Sequence, residues 1–331
     1  MEKIGIIGAG SWGTTLANLL SEKGFLVDLW VFEHELFKII QDKSENTYYL
    51  PGISLSNNLN PYTSLEDVCK DKKVLILVTP SHVLREVLQK ASPYIKDDVS
   101  LVIASKGIEY GSFLPLNLVI KEVLSNMTYD LFCLSGPSFA GEVSRKIPTA
   151  VALSGEDEGK TKEIQKIFST PYFRIYTNKD LLGVALGGAL KNIIAIAVGV
   201  SDGLGLGFST RAALITRGLR EITRLGVRLG AEVSTFSGLA GLGDLVLTCT
   251  SDLSRNRTVG KRLAEGVSLE EIQSGMKMIA EGIICTKSAY FLAKKHNIDM
   301  PVTEKVYQIL YENLKPEQAA WELMGRELKE E

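Results

Sequence analysis

Residues 4–13 read IGIIGAGSWG. Ile4 to Ile7 is a short apolar run, as expected of a strand buried on both faces. The six residues after it, Gly8-Ala9-Gly10-Ser11-Trp12-Gly13, fit G-x-G-x-x-G. Residues 14–23 then have a helical pattern, and Phe25–Phe32 reads as a second strand. Strand, glycine turn, helix and strand within about thirty residues is the dinucleotide-binding arrangement. In it Gly8 permits the tight turn, Gly10 lets the backbone approach a pyrophosphate, and Gly13 allows close helix–strand packing. The N–H groups at the helix start face the phosphates. Glu33 follows the second strand at the point where a carboxylate can accept from ribose hydroxyls and repel a 2′-phosphate. Phe32 beside it offers a phosphate no charge. The pair favours NAD over NADP, against the plainer reading of Glu33 as a solvated acid opening a helix.

The alternation continues. Strands are expected over 74–79, 101–105, 131–134, 149–154 and 172–176, with helices over 80–91, 114–124 and 156–168. This pattern predicts an α/β fold with a Rossmann-type doubly wound, mainly parallel sheet. Ligands in such sheets lie beyond the carboxyl ends of the strands. Lys106-Gly107 and Ser135-Gly136-Pro137-Ser138 stand at such ends.

Past Asn178 the strand signals stop. Leu181 to Val200, LLGVALGGALKNIIAIAVGV, is long enough to span a membrane. Lys191 and Asn192 sit near its middle, however, and a central Lys costs roughly 2.5–3.5 kcal/mol on insertion scales. We read it as a helix buried inside the protein, apolar on every side, with one ammonium at depth and no membrane span. Helices are expected to follow over 209–230, 269–274, 285–295, 303–313 and 316–323. The organisation predicted is a nucleotide-binding domain over 1–180 and an all-helical C-terminal substrate-binding and catalytic domain over 181–331. Arg217, Arg220, Arg224 and Arg228 recur at helical spacing, but Glu221 lies among them, and a solvated face or a subunit contact is the expected use.

The 331 residues are 45% hydrophobic and 23% charged, with a formal net charge of −2. That balance gives no general attraction to nucleic acid or to a membrane surface. Cys69, Cys133, Cys249 and Cys285 are far apart, which argues against a zinc site or a disulfide framework and fits a reducing compartment. The opening apolar run is too short for a signal peptide. The expected location is the cytoplasm.

Hydride chemistry needs a group that manages the proton of a carbonyl or alcohol. Histidine is scarce, and a buried lysine can exchange protons because burial makes an ammonium easier to deprotonate. Lys191 is the candidate. The alternative is a structural Lys paired with a carboxylate such as Asp244. Asn192 adds an amide able to orient a substrate oxygen. Ser254-Arg255-Asn256-Arg257 is an anion-site candidate, with Ser254 capping a helix and Arg255 supplying a bidentate fork. These features together point to reduction of a small phosphorylated carbonyl compound.

GAGSWGTTLA (8–17), TPSHV (79–83), ASKGIE (104–109), LSGPSFAGE (134–142), LGGALKNIIAIAVGVSDGLGLG (186–207), GLAGLGDLVLTCTSDLSRNR (238–257) and MPVTEKVYQILY (300–311) resemble the NAD(P)-dependent glycerol-3-phosphate dehydrogenases of the bacterial type. The likeness runs from residue 4 to about 325. It implies interconversion of dihydroxyacetone phosphate and sn-glycerol 3-phosphate, supplying glycerophospholipid biosynthesis. By matched motif, Lys191 corresponds to the general acid/base, and Lys106, Asn192, Asp244 and Thr248 to the reacting end of the substrate. Gly136, Ser138, Ser254, Arg255 and Asn256 match further substrate contacts, with Arg255 and Asn256 at the phosphate. Ser11, Trp12, Tyr49, Lys106, Ala140, Arg255, Ile279 and Glu281 match cofactor positions. Phe32 departs from the His or Arg of many relatives, which sets NADPH preference in question. Family members are commonly homodimers. Two other readings compete: a β-hydroxyacid dehydrogenase of the 6-phosphogluconate or 3-hydroxyisobutyrate type, which also pairs an interdomain Lys with a following Asn, and a dinucleotide-sensing regulatory protein without turnover.

Overall fold

The computed structural model describes residues 3–276, 280–328 and 330. The chain divides into two compact units, Met1–Lys106 with Leu114–Ala185, and Gly107–Phe113 with Leu186–Glu331.

The first unit is an eight-stranded sheet flanked by helices. In chain order it comprises β1 (Lys3–Ile7), α1 (Ser11–Glu22), β2 (Leu26–Trp30), α2 (His34–Lys43), β3 (Leu59–Tyr62), α3 (Leu65–Cys69), β4 (Val74–Leu77), α4 (Leu84–Ala91) and β5 (Val99–Ile103). There follow α5 (Leu116–Val123), β6 (Tyr129–Ser135), α6 (Ala140–Ser144), β7 (Thr149–Gly155), α7 (Glu158–Phe168) and β8 (Phe173–Asn178). The strand order is β3-β2-β1-β4-β5-β6-β7-β8. Its first six strands have the 3-2-1-4-5-6 order of a doubly wound dinucleotide-binding sheet. All pairings are parallel except β6 with β7, where Phe132 faces Gly155. The order reverses between β1 and β4, which places the ligand crevice beyond the carboxyl ends of those two strands. The central strands are almost wholly buried, with Ile6, Ile7, Leu75, Ile76, Leu101 and Val102 at 0% exposure, because helices cover both faces of a parallel sheet.

Several boundaries differ from the sequence reading. The second strand stops at Trp30, so Phe32 lies beyond it and is 76% exposed. β3 had no signal in the sequence: its LNPY carries Pro61, which cannot donate to a ladder and is tolerated because β3 is the sheet edge.

The second unit is helical, apart from the inserted segment 107–113. Its elements are α8 (Leu181–Gly203, whose first turn belongs to the first unit), α9 (Gly207–Arg228), α10 (Val233–Phe236), a π-turn (Leu239–Gly243), α11 (Asp244–Thr250) and α12 (Arg255–Ala264). α13 (Leu269–Ser274), α14 (Glu281–Lys295), α15 (Pro301–Tyr311) and α16 (Pro316–Met324) complete it. By length and composition Leu181–Gly203 and Val233–Thr250 could each cross a membrane, but every residue from Leu186 to Ser201 is buried within the protein. Backbone approaches too close for any side chain surround α8. A Cβ on Gly199 would lie 2.0 Å from the Arg257 carbonyl oxygen, and one on Gly260 would lie 2.0 Å from that of Ile196. Gly187 meets the π-turn at Ala240, Gly218 of α9 meets Ile194, and Gly282 of α14 meets the Asn192 carbonyl. A helix apolar on all sides is thereby enclosed on all sides.

One polar expectation is corrected here. Glu221 is not on a solvated face: it is 3% exposed, and its carboxylate accepts from Val302 N (2.6 Å), Thr303 N (3.0 Å) and Thr303 Oγ1 (2.9 Å), capping α15 from another helix. Asp202, in the last turn of α8, accepts from Arg211 and Arg257.

Candidate active site

In the first unit the glycine turn separates three roles by geometry. Gly8 has φ +120°, and a Cβ there would lie 2.7 Å from the Val78 carbonyl oxygen, so the turn into β1's crevice requires glycine. A Cβ on Gly13 would lie 1.9 Å from the Gly8 oxygen, which enforces close seating of α1. At Gly10 nothing in the protein lies within 4 Å of a Cβ. The space there is open, and it adjoins the first turn of α1, where Gly10 provides no side-chain cap to the free N–H groups. A pyrophosphate fits that cradle. Asn46, fully buried and absent from the sequence-level candidates, locks the turn by donating to Ala9 O and Thr14 Oγ1, both at 2.8 Å.

The other candidate cofactor residues of the first unit are held by contacts of their own. Trp12 is half-buried, edge-on to Phe173 at 6.2 Å, and its indole N–H is buried without a protein acceptor. Ser11 and Ala140 are brought together through Thr15, whose hydroxyl lies 2.8 Å from Ser11 O and 3.3 Å from Ala140 O. Thr15 was not among the candidate site residues read from the sequence. Tyr49 donates to Glu33 Oε1 at 2.6 Å, and burial together with that carboxylate pushes the phenol up to about 12. Phe32 packs edge-on to Trp30 at 5.9 Å. Lys106, half-buried at the end of β5, donates to Gly136 O at 3.5 Å, and Ser138 Oγ donates to the same oxygen at 3.1 Å. Lys106, Gly136 and Ser138 therefore share one carbonyl.

In the second unit Lys191 is 7% exposed in the middle of α8. Its amine donates to Asp244 Oδ1 at 2.5 Å and to Thr248 Oγ1 at 2.7 Å. Asp244 is 0% exposed, and Thr248, one turn later on α11, also donates to the Asp244 carbonyl. A buried ammonium thus has its counter-charge in the residue the sequence offered as its structural partner. Asn192, next on α8, accepts from Asn256 Nδ2 at 2.9 Å, and Asn256 Oδ1 accepts from Gly282 N at 3.0 Å. Ser254 caps α12, accepting from Arg257 N at 3.3 Å. Arg255 is exposed at the first position of that helix, with Glu281 within electrostatic reach of its guanidinium. Arg257, grouped with them in the sequence, turns away into ion pairs with Asp202 and Asp252, and its role is structural. Ile279 lies outside the described residues. Burial pushes the Cys69, Cys133 and Cys249 thiols up to about 12, so none of them is a thiolate at neutral pH.

A buried lysine–carboxylate pair in one unit and a dinucleotide turn in the other are shared by several dehydrogenase families, and comparison with known proteins separates them. Residues 3–161 match the N-terminal profile of NAD-dependent glycerol-3-phosphate dehydrogenase, and residues 180–320 match the C-terminal one. The glycerol-3-phosphate dehydrogenase [NAD(P)+] of Geobacter metallireducens is 54% identical over 100% of this chain and 99% of its own. The chain belongs to the NAD-dependent glycerol-3-phosphate dehydrogenase family. The corresponding protein of Syntrophobacter fumaroxidans is 52% identical over 99% of this chain and 97% of its own. The crystal structure of the Coxiella burnetii glycerol-3-phosphate dehydrogenase is similar at a TM-score of 0.95 and 41% identity, covering 98% of this chain and 99% of that one. Membership makes the chain an NAD(P)-dependent oxidoreductase and sets the β-hydroxyacid dehydrogenase reading aside. The motif resemblance read from the sequence was to this family.

Proposed function

We propose that the protein interconverts dihydroxyacetone phosphate and sn-glycerol 3-phosphate with NAD(P)H, and that Lys191 is the general acid/base. The observation that carries this reading is the amine–carboxylate–hydroxyl group of Lys191, Asp244 and Thr248, all three buried, with Lys191 on α8, whose residues 186–201 are buried throughout. The nicotinamide, when bound, supplies or accepts the hydride at the carbonyl carbon. Lys191 gives its proton to the carbonyl oxygen as the alcohol forms, and takes it back in the reverse direction. Asp244 neutralises the ammonium and aims it, and Thr248 fixes its rotamer. Asn192, held by Asn256, orients the substrate oxygen, while Arg255, Asn256 and Ser254 at the start of α12 take the phosphate. Lys106, Gly136 and Ser138 are further substrate residues, and Lys106 also serves the cofactor.

Gly8, Gly10 and Gly13 with Ser11, Trp12, Tyr49 and Ala140 hold the dinucleotide, and Arg255, Ile279 and Glu281 complete that set. In the domains read from the sequence, the dinucleotide is held chiefly by 1–180, and the Lys191–Asp244 pair belongs to the substrate-binding and catalytic domain, 181–331. NAD is the favoured cofactor: the Glu33 carboxylate stands where a 2′-phosphate would fall, with no cation at Phe32. A homodimer in the cytoplasm, serving glycerophospholipid biosynthesis, is the setting we assign. The direct test is oxidation of NADH and of NADPH by the purified protein with dihydroxyacetone phosphate, unphosphorylated dihydroxyacetone and short keto acids. We expect turnover with dihydroxyacetone phosphate above all and a higher kcat/KM with NADH. Turnover of keto acids in its place, or cofactor binding without turnover, would overturn the assignment.

A further inference from the structure

The segment Gly107–Phe113 leaves the chain of the first unit directly after Lys106, belongs to the second unit, and returns at Leu114. It is held along one face of α14 in register. The Ile108 backbone approaches the Cys285 thiol, Ser288 Oγ donates to Glu109 O at 3.2 Å, and the Phe113 ring stacks on Phe291 at 5.5 Å and 26°. Cys285, Ser288 and Phe291 recur every three residues and so share one face of the helix. Lys287 adds a cation–π contact to Tyr110, 4.9 Å from the ring centroid. The segment is also braced within itself: Ser112 Oγ lies 2.5 Å from Glu109 Oε2, and Phe113 N donates to Glu109 O at 3.1 Å. Ile108, Cys285 and Ser288 are all 0% exposed. Phe113 holds φ +59°, an unfavourable conformation for a bulky residue that persists only where its surroundings fix it. The same helix, at its first turn, donates Gly282 N to Asn256, which in turn holds Asn192 beside Lys191.

We propose that this face of α14 is a cradle for the 107–113 strap, and that Ser288 and Phe291 are positioning residues which set the backbone at Lys106. The strap begins at the residue after Lys106, so the contacts of Ser288 and Phe291 fix the backbone from which the Lys106 side chain departs. None of these strap contacts uses a residue assigned above to the substrate or cofactor. The inference rests on the role proposed for Lys106, and its test separates the two.

The test is a double-mutant cycle on kcat/KM for dihydroxyacetone phosphate, with Phe291→Ala and Lys106→Met singly and together. Phe291→Tyr, which keeps the stacking ring, serves as the conservative control. We expect Phe291→Ala to lower kcat/KM by about tenfold in the native background and less than about twofold in the Lys106→Met background, since residues acting through one another are not additive. Phe291→Tyr should restore near-native kinetics. Equal losses in both backgrounds, or no loss from Phe291→Ala, would overturn the positioning role. If Lys106→Met alone is near-native, the role of Lys106 fails first and the strap inference with it. Should Phe291→Ala fail to fold, Ser288→Ala enters the same cycle with the same expected outcomes.

Discussion

Separating Asp244 from Lys191 tests the energetics of the site without any assay of turnover. Asp244→Asn preserves shape and an oxygen acceptor but removes the carboxylate that lies 2.5 Å from the Lys191 amine, at 0% exposure. Removing one member of a buried ion pair costs about 3–5 kcal/mol, because the other charge keeps its desolvation penalty. The remaining amide oxygen and the Thr248 hydroxyl soften the loss, so ~3 kcal/mol is expected for Asp244→Asn. Lys191→Met strands a carboxylate instead and should cost ~3–5 kcal/mol. The double variant Lys191→Met/Asp244→Leu replaces both charges with apolar groups and should be no worse than about 2 kcal/mol below the native protein. The coupling is then at least ~3 kcal/mol, against the ~0.5 kcal/mol scatter of independent sites. Urea unfolding at pH 7, followed by circular dichroism with constant slopes, measures all four corners with Asp244→Leu as the matching single. Additivity within that scatter would refute the reading of the pair as a mutually dependent buried unit.

Three further outcomes follow from particular contacts. Gly10→Ala should leave stability within ~0.5 kcal/mol, since its Cβ meets nothing within 4 Å, yet weaken NADH binding by on the order of tenfold or more, a 1.4 kcal/mol loss. Calorimetric titration that shows unchanged affinity would remove the pyrophosphate from that cradle. Tyr49→Phe deletes the 2.6 Å bond to Glu33 and should lower the NADH-to-NADPH ratio of kcat/KM about fivefold, the value of one hydrogen bond near 1 kcal/mol, with kcat unchanged. An unaltered ratio would detach Tyr49 from cofactor choice. Burial pushes Glu221 from 4.5 up to about 7 against the Val302 and Thr303 donors, so its contribution to stability is present below pH 4.5 and lost as pH rises to about 7. Glu221→Gln should accordingly gain on the native protein by up to ~3 kcal/mol between pH 4.5 and 7.5, and urea midpoints across that range that run parallel would contradict it.

What was legible in the sequence was local. The turn from Gly8 to Gly13 specifies its own geometry within six residues, and β1, α1 and β2 followed from it. Lys191 was conspicuous because a lone charge contradicts its apolar helix, and Asp244 could be offered as its partner. β3 was hidden, because Asn60 and Pro61 oppose a strand and only its edge position makes them tolerable. Glu221 was misread among four arginines, since the helix start that buries it lies 81 residues later. Arg257 shared a motif with Arg255 and Asn256, but one helical position turned it inward to Asp202. The π-turn before Asp244 has no periodic signature, yet it is the element that delivers the carboxylate to Lys191.

The account stands on Lys191 moving the proton. The measurement is the single-turnover rate of dihydroxyacetone phosphate reduction by Lys191→Met loaded with NADH, compared with the native protein at equal cofactor occupancy. Loss of a positioned general acid predicts a rate lower by about 10²–10⁴-fold while NADH affinity is retained. A rate within about threefold of the native one, with the fold and NADH affinity intact, would show that the proton comes from elsewhere.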